Sequence, residues 1–231
     1  MITVQQQTES RRPLALRQLG CWNWLLKRLA ASRVTPNHIS VLGVVFGIGA
    51  GVALALTSGY ETGAVSQRLL LLGAILLVVL RGACNIFDGV LAVETGRASR
   101  VGLLYNEVPD RISDIAIFIG AGFAVGGHPM LGMAAALGSL MTAYTRVQVH
   151  LAGAPADFSG PMAKPARMVI LCLAAAFLAF LPTGVWPTGS GGFGIIGASL
   201  TLITCGTVFT TIVRLRNAAA EIQTIGPDEC E

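Results

Sequence analysis

Residues 81–114 have the sequence RGACNIFDGVLAVETGRASRVGLLYNEVPDRISD, which places polar and charged side chains in two segments otherwise apolar enough to span a bilayer. A charge at the centre of a membrane helix costs about 3 kcal/mol or more, so such side chains are kept mainly for function. The stretch predicts two helices joined by the turn ETGRASR. On the first helix Arg81, Asn85 and Asp88 recur at helical spacing and share one face.

The second helix carries a similar polar stripe. Asn106, Asp110 and Asp114 follow at successive helical turns, Glu107 lies close to the same stripe, and Gly102 leaves the backbone open nearby. Two helices that face each other across a short turn would bring these oxygen atoms together at one end of a bundle. Hard cations prefer such oxygen ligands, above all when a phosphate-bearing substrate completes the shell. The sequence therefore predicts a site for Mg²⁺ or Mn²⁺.

The spacing of these residues resembles the signature of the CDP-alcohol phosphotransferases, D-x-x-D-G-x-x-A-R, eight residues, then G-x-x-x-D-x-x-x-D. The positions that match without a gap are Asp88, Gly89, Ala92, Gly102 and Asp110. Three positions differ, because Asn85 and Asn106 stand where the pattern has Asp and Val93 stands where it has Arg. The segment T-P-N-x-x-S at residues 35–40 also resembles the start of the family's first membrane helix.

The resemblance implies a membrane transferase, in which the hydroxyl of an alcohol attacks the β-phosphorus of a CDP-linked donor and expels CMP. The expected donor is CDP-diacylglycerol, and the expected role is phospholipid synthesis. The family mechanism implies that Asp88 binds metal and that Asp110 is both a metal ligand and the catalytic base. It also implies that Gly89, Ala92 and Gly102 lie close to the nucleotide.

The two asparagines change the charge of this site. An amide oxygen can coordinate a hard cation but brings no negative charge, so Asn85 and Asn106 are candidate metal ligands in a site that has lost two units of charge. Glu107 and Asp114 lie within about one helical turn of Asp110, and either could enter the metal shell directly or through water.

Basic residues around the stretch are candidates for binding phosphate. Arg81, Arg97 or Arg100 could replace the arginine that the family pattern contains, and Arg100 is also a candidate for binding the nucleotide. In a later polar segment Lys164 and Arg167 could hold an anionic group of the donor or acceptor, and Arg146 is a further candidate. The alternative is that these residues only fix the topology, since Lys and Arg accumulate on the cytoplasmic side of membrane proteins.

The composition fits a polytopic membrane protein. Of the 231 residues 53% are hydrophobic and only 12% are charged, and the mean hydropathy is +0.68, which excludes a soluble domain of ordinary make-up. The five cysteines have no paired spacing, so neither a disulfide framework nor a zinc site is expected. No nucleic-acid partner is expected either.

We predict an all-α fold with an N-terminal amphipathic helix in the lipid interface and six transmembrane helices, each near the ~20 residues that a bilayer requires. The amphipathic helix is expected at residues 13–33, and Thr35 and Pro36 are expected to open the first span. The six spans are predicted at residues 36–57, 69–91, 102–125, 130–150, 168–181 and 193–213. The predicted divisions are a polar N-terminus with the amphipathic helix at 1–34, a catalytic membrane domain at 35–217 and a cytoplasmic tail at 218–231.

Six spans place both termini on one side of the membrane, where nearly all the Lys and Arg outside the spans also fall. By the positive-inside rule the termini and the active site then face the cytoplasm, here that of a bacterial inner membrane. Several glycines allow close helix packing and are a possible seam for a homodimer. They are Gly120, Gly122, Gly126, Gly194 and Gly197.

Two other functions remain open. The pattern N-x-x-x-D-x-x-x-D at residues 106–114 also resembles the first aspartate motif of the UbiA-type prenyltransferases, although no second D-x-x-x-D follows it. The three departures from the CDP-alcohol pattern also allow a family member that has lost catalysis and binds a nucleotide-lipid. Release of CMP from CDP-diacylglycerol would separate the transferase from the inactive member, and use of a prenyl-diphosphate donor would reveal the prenyltransferase.

Overall fold

A computed structural model describes residues 35–61, 63–94, 100–155, 157, 159–181 and 194–224, with the backbone alone at 92–94, 100–106 and 224. Within these residues the chain is helical and contains no strand, which confirms the all-α prediction. The helices are α1 Pro36–Leu56, α2 Val65–Glu94, α3 Arg100–Gly122, α4 Pro129–Leu151, α5 Lys164–Phe180 and α6 Ile195–Thr224. The predicted amphipathic helix and most of the turn ETGRASR lie outside the described residues.

Three of these helices are long and apolar enough to cross a membrane, so the protein is an integral membrane protein. They span Pro36–Gly59, Val65–Leu91 and Ile195–Gln223. In the described residues α3, α4 and α5 do not meet this criterion; α3 carries charged side chains from Glu107 to Asp114, and α5 has only 17 residues. Six spans therefore remain a prediction, although a helix lies at each of the six predicted positions.

The helix ends differ from the predicted ones. α1 begins as predicted, because Thr35 and His38 form a reciprocal capping box ahead of Pro36. By contrast, α2 begins before residue 69, α3 ends before residue 125, and α6 continues past both 213 and the predicted domain boundary at 217. An apolar run marks the part of a helix that lipid can cover, whereas backbone hydrogen bonding continues through polar residues.

Glycines let the helix backbones touch. A Cβ atom added at Gly51 of α1 would collide with the carbonyl of Ala116 in α3, and one added at Gly120 would collide with Gly51. Gly47 faces Ser113 in the same crossing. This contact brings the start of α1 against the polar faces of α2 and α3.

The glycines predicted for a dimer seam pack within the chain. Gly122 lies against Gly132, and Gly126 lies against Gly194. The amide of Gly197 donates to the carbonyl of Gly126 at 2.8 Å. These glycine faces pack against other residues of the same chain. The homodimer therefore stays a prediction that these glycines do not support.

Candidate active site

Asp88 is buried at the end of α2 where α1 crosses it. Its side chain is 4% exposed, and the Ser40 hydroxyl of α1 donates to its Oδ2 atom at 2.6 Å. The other oxygen, Oδ1, is the one buried side-chain oxygen in the described part of the chain that has no hydrogen-bond partner. A buried carboxylate oxygen without a partner is costly, so this atom is suited to a ligand.

Asp110 of α3 is surrounded by donors. The Asn85 amide nitrogen donates to both of its carboxylate oxygens, at 2.7 and 2.6 Å. Lys164, in the first turn of α5, forms an ion pair with Oδ2, and Arg81 Nη2 lies 3.1 Å from Oδ1. The carboxylate is therefore fixed in orientation by side chains from two other helices, α2 and α5.

Asp88 and Asp110 line the same cavity. Its volume is about 10 Å³, which is room for one water-sized particle. The other lining residues are Ser40, Gly43, Arg81, Cys84, Asn85, Pro109 and Ser113. Among the described residues no three His, Cys, Asp or Glu side chains form a metal cluster. Mg²⁺ commonly binds through only one or two carboxylates and completes its shell with substrate phosphates and water, so the residues present fit such an ion.

Asp114, a predicted metal ligand, does not line this cavity. It is 1% exposed, and its Oδ1 atom accepts a hydrogen bond from Arg81 Nη2 at 2.6 Å. Its Oδ2 atom accepts from the Ser139 hydroxyl at 3.2 Å and from Arg167 Nη2 at 3.5 Å. The arrangement favours a role for Asp114 in holding two arginines.

Glu107, another predicted metal ligand, also pairs with arginines. Its two carboxylate oxygens lie 2.7 Å from Arg111 and 2.7 Å from Arg146. Both of its oxygens are thus used on the side of α3 that faces α4. Arg81, predicted to bind phosphate, likewise directs its guanidinium at Asp110 and Asp114.

A second cavity of about 190 Å³ lies beside the first and is strongly basic. Its lining includes five Lys and Arg residues and no acidic residue: Arg111, Arg146, Lys164, Arg167 and Arg214. The sequence predicts phosphate binding for three of these residues, namely Arg146, Lys164 and Arg167. It missed Arg111, although this residue directly follows Asp110, and Arg214, whose Nη1 donates to the carbonyl of Thr142 at 2.9 Å.

Lys164 contacts the first cavity's carboxylate and also lines the second cavity. It precedes the predicted fifth span. Burial lowers the pKa of its ammonium to about 8, and the attraction of Asp110 partly opposes that shift. The Lys164 ammonium therefore remains largely protonated at neutral pH and can pair with an anionic ligand.

The loop that leads into α5 is fixed by Asp157. Its carboxylate accepts from the amide and hydroxyl of Ser159, at 2.6 and 2.7 Å, and from the Asn217 amide at 3.1 Å. Partial burial alone would raise the pKa of Asp157, but these hydrogen bonds outweigh it and hold the pKa below its usual value. The carbonyl of Ser159 in turn accepts from Arg214, which lines the basic cavity.

Several predicted residues cannot be placed by their side chains. Ala92, Arg100, Gly102 and Asn106 lie in helices of which the structure describes only the backbone at these positions. Gly89 follows Asp88 in α2, at the edge of the same site. A nucleotide-binding role for these residues stays a prediction.

A membrane helical bundle with a buried carboxylate cavity beside a basic cavity is the arrangement expected of an intramembrane enzyme whose substrates carry phosphate. The sequence model of the CDP-alcohol phosphatidyltransferase family matches residues 33–213. The chain therefore belongs to the CDP-alcohol phosphatidyltransferase family, as the resemblance in the sequence implied.

Curated relatives agree with this assignment. The archaetidylinositol phosphate synthase of Pyrococcus horikoshii is 31% identical over 154 residues, which cover 65% of this chain and 74% of that protein. The inner membrane protein YnbA of Escherichia coli is 28% identical over 159 residues, covering 69% of this chain and 73% of that protein.

The fold is also similar to a solved structure. The Mycobacterium tuberculosis phosphatidylinositol phosphate synthase with CDP-DAG bound has a TM-score of 0.66 and 22% identity, over 84% of this chain and 91% of that one. A second structure of that enzyme, in complex with manganese and citrate, also has a TM-score of 0.66 and 22% identity, and covers 84% and 87% of the two chains.

Proposed function

We propose that this protein transfers a phosphatidyl group from CDP-diacylglycerol to the hydroxyl of an alcohol that itself carries a phosphate, with release of CMP. The observation that carries this proposal is that Asp88 and Asp110 line one cavity, which lies directly beside a basic cavity. Membership of the family supports the reaction class. Two relatives, named as an archaetidylinositol phosphate synthase and a phosphatidylinositol phosphate synthase, support the acceptor class.

Mg²⁺ or Mn²⁺ is the proposed cofactor. Asp88 and Asp110 would hold it, with the oxygens of the donor diphosphate, and Asn85 lies next to both. When bound, such an ion neutralises charge on the diphosphate and on the leaving CMP. The unpartnered Oδ1 atom of Asp88 supports this assignment.

Asp110 is the proposed base. It accepts the proton of the acceptor hydroxyl, whose oxygen forms a bond to the β-phosphorus while the bond from that phosphorus to the CMP oxygen breaks. Asn85 and Lys164 keep the carboxylate in one orientation before the acceptor arrives. In this proposal Asp114 and Glu107 are positioning residues. Asp114 holds Arg81 and Arg167, and Glu107 holds Arg146.

The basic cavity is the proposed binding site for the acceptor's phosphate. Arg146, Lys164 and Arg167 line it together with Arg111 and Arg214. A phosphate gains most from charged donors in a partly dehydrated cleft. Because Lys164 also contacts Asp110, a phosphate held there would place the acceptor's hydroxyl near the proposed base.

The predicted topology belongs to the same proposal. Six spans would place the termini and both cavities on the cytoplasmic side of a bacterial inner membrane, and the family's lipid donor would enter from the bilayer. A homodimer is retained as an expectation. Labelling of single cysteines introduced near Lys164 and near Glu61, from each side of sealed vesicles, tests the orientation.

The enzymatic test is CMP release from CDP-diacylglycerol by the purified protein with Mn²⁺, using inositol phosphate, glycerol phosphate, inositol and serine as acceptors. Asp110→Asn should lower the rate of CMP release about 10²–10⁴-fold, the usual contribution of a general base. Glu61→Gln is the matched control, since Glu61 lies at the opposite end of the bundle and is exposed. CDP-diacylglycerol binding without CMP release from any acceptor would instead identify a catalytically impaired member.

A further inference from the structure

Arg81 occupies a position between the carboxylates of this site. Its guanidinium is buried, and Nη2 lies 2.6 Å from Asp114 Oδ1 and 3.1 Å from Asp110 Oδ1. The same nitrogen donates to the backbone carbonyl of Asp110 at 3.0 Å. A fixed positive charge therefore already sits against the carboxylate stripe of α3.

The oxygens left for cations are few. A pair of divalent ions about 3.5–4 Å apart needs carboxylates that bridge them and further oxygen ligands for each ion. Here Asn85 donates to both oxygens of Asp110, and Asp114 is used by Arg81, Ser139 and Arg167. The cavity of about 10 Å³ has room for one ion.

The charge of the site also favours a single divalent cation. Within the described residues, the three aspartates at 88, 110 and 114 carry three negative charges, and the three cations that pair with Asp110 and Asp114, namely Arg81, Lys164 and Arg167, balance them. One divalent ion and the two negative charges of a donor diphosphate keep this balance. A second divalent ion would leave an excess of two positive charges in a buried site, which is strongly unfavourable.

We infer that this protein binds one divalent cation per chain, at Asp88 and Asp110, and that the Arg81 guanidinium supplies the positive charge that a second cation would bring. The inference builds on the proposed function. Asn85 and Asn106 fit the same balance of charge, because each stands where the family pattern has a carboxylate.

The test counts Mn²⁺ bound to the full-length protein in detergent, by equilibrium dialysis and elemental analysis, with and without a non-reactive CDP-lipid analogue. One Mn²⁺ per chain is expected, with the six-line spectrum of an isolated Mn²⁺ ion in electron paramagnetic resonance. Two Mn²⁺ per chain, with a spectrum broadened by their coupling, would overturn the inference while leaving the proposed transferase reaction intact. No bound Mn²⁺ would overturn both.

Two matched variants isolate the charge at position 81. In a background of Asn85→Asp and Asn106→Asp, Arg81→Met should raise the count from one to two, whereas Arg81→Lys, which keeps the charge, should leave it at one. Equal counts in the two variants would contradict the role given to Arg81. Arg68→Met, at the exposed opposite end of α2, controls for loss of an arginine from this helix. If the triple variants fail to fold, the count for the native chain alone decides the number of ions.

Discussion

Ser40 is a single residue on which the proposed metal site depends, although it lies on a different helix from both carboxylates. Its hydroxyl donates to Asp88 Oδ2 at 2.6 Å in a buried position, and hydrogen bonds to charged groups contribute about 1.5–3 kcal/mol. Since about 1.4 kcal/mol is a factor of ten, we expect Ser40→Ala to weaken Mn²⁺ binding at least roughly ten-fold. Calorimetric titration with Mn²⁺ measures this change.

Ser58→Ala is the control for that experiment. Its hydroxyl donates to the carbonyl of Ala55 at the exposed far end of α1, so Mn²⁺ binding should not change. If Ser40→Ala also leaves the affinity unchanged, the orientation of Asp88 does not depend on this hydrogen bond.

The sequence predicted the two central carboxylates but not their partners. Asp88 and Asp110 belong to one short segment whose helical spacing places them on facing stripes, so local geometry is sufficient. Ser40 lies 48 residues before Asp88, and Arg167 lies 53 residues after Asp114. No local pattern reports such distant contacts, and for this reason the spacing predicts metal ligands at Asp114 and Glu107 without showing the arginines of other helices that pair with them.

At the scale of helices, the crossing of α1 and α3 holds the site together. A Cβ atom at Gly120 would collide with the backbone of Gly51, which cannot move as a flexible side chain can. Overpacking of this kind costs about 1–3 kcal/mol. We expect Gly120→Ala to lower the Tm of the purified protein and to weaken Mn²⁺ binding, because separating the helices moves Ser40 away from Asp88.

Gly73→Ala in α2 is the matched control for the crossing. Nothing lies within 4 Å of a Cβ atom at this position, and Ala is favoured over Gly in a helix by about 1 kcal/mol. This variant should have an equal or higher Tm and normal Mn²⁺ binding. Equal Tm values for the two variants would show that the α1 and α3 backbones are not in contact.

Helix positions followed from the apolar runs, but helix ends did not. α6 continues to Thr224 through the segment RNAAAEIQT, which lacks the hydropathy of a membrane span yet is rich in Ala, Glu and Gln, all good helix formers. The extension has a structural role, since Asn217 on it binds Asp157 of the loop before α5. A hydropathy window detects only the apolar part of a helix, so it misses a polar extension of this kind.

At the scale of the whole molecule, α3 lines both cavities, with Asp110 in the first and Arg111 in the second. Lys164 joins them by contacting Asp110 on one side and lining the basic cavity on the other. Asp114 also links the two cavities, because it pairs with Arg81, which lines the first cavity, and with Arg167, which lines the second. A donor diphosphate held by an ion in the first cavity and an acceptor phosphate in the second cavity would therefore meet at Asp110.

This arrangement predicts that acceptor binding can be weakened separately from donor binding. Arg146 lines the basic cavity but not the carboxylate cavity, and a charge-assisted hydrogen bond is stronger than a neutral one. With such a bond worth about 1.5–3 kcal/mol, Arg146→Met should raise the KM for inositol phosphate at least roughly ten-fold and leave the KM for CDP-diacylglycerol unchanged. Arg216→Met, on the exposed face of α6, should change neither. A parallel rise in both KM values would mean that the basic cavity serves the donor, and the acceptor phosphate would have to bind elsewhere.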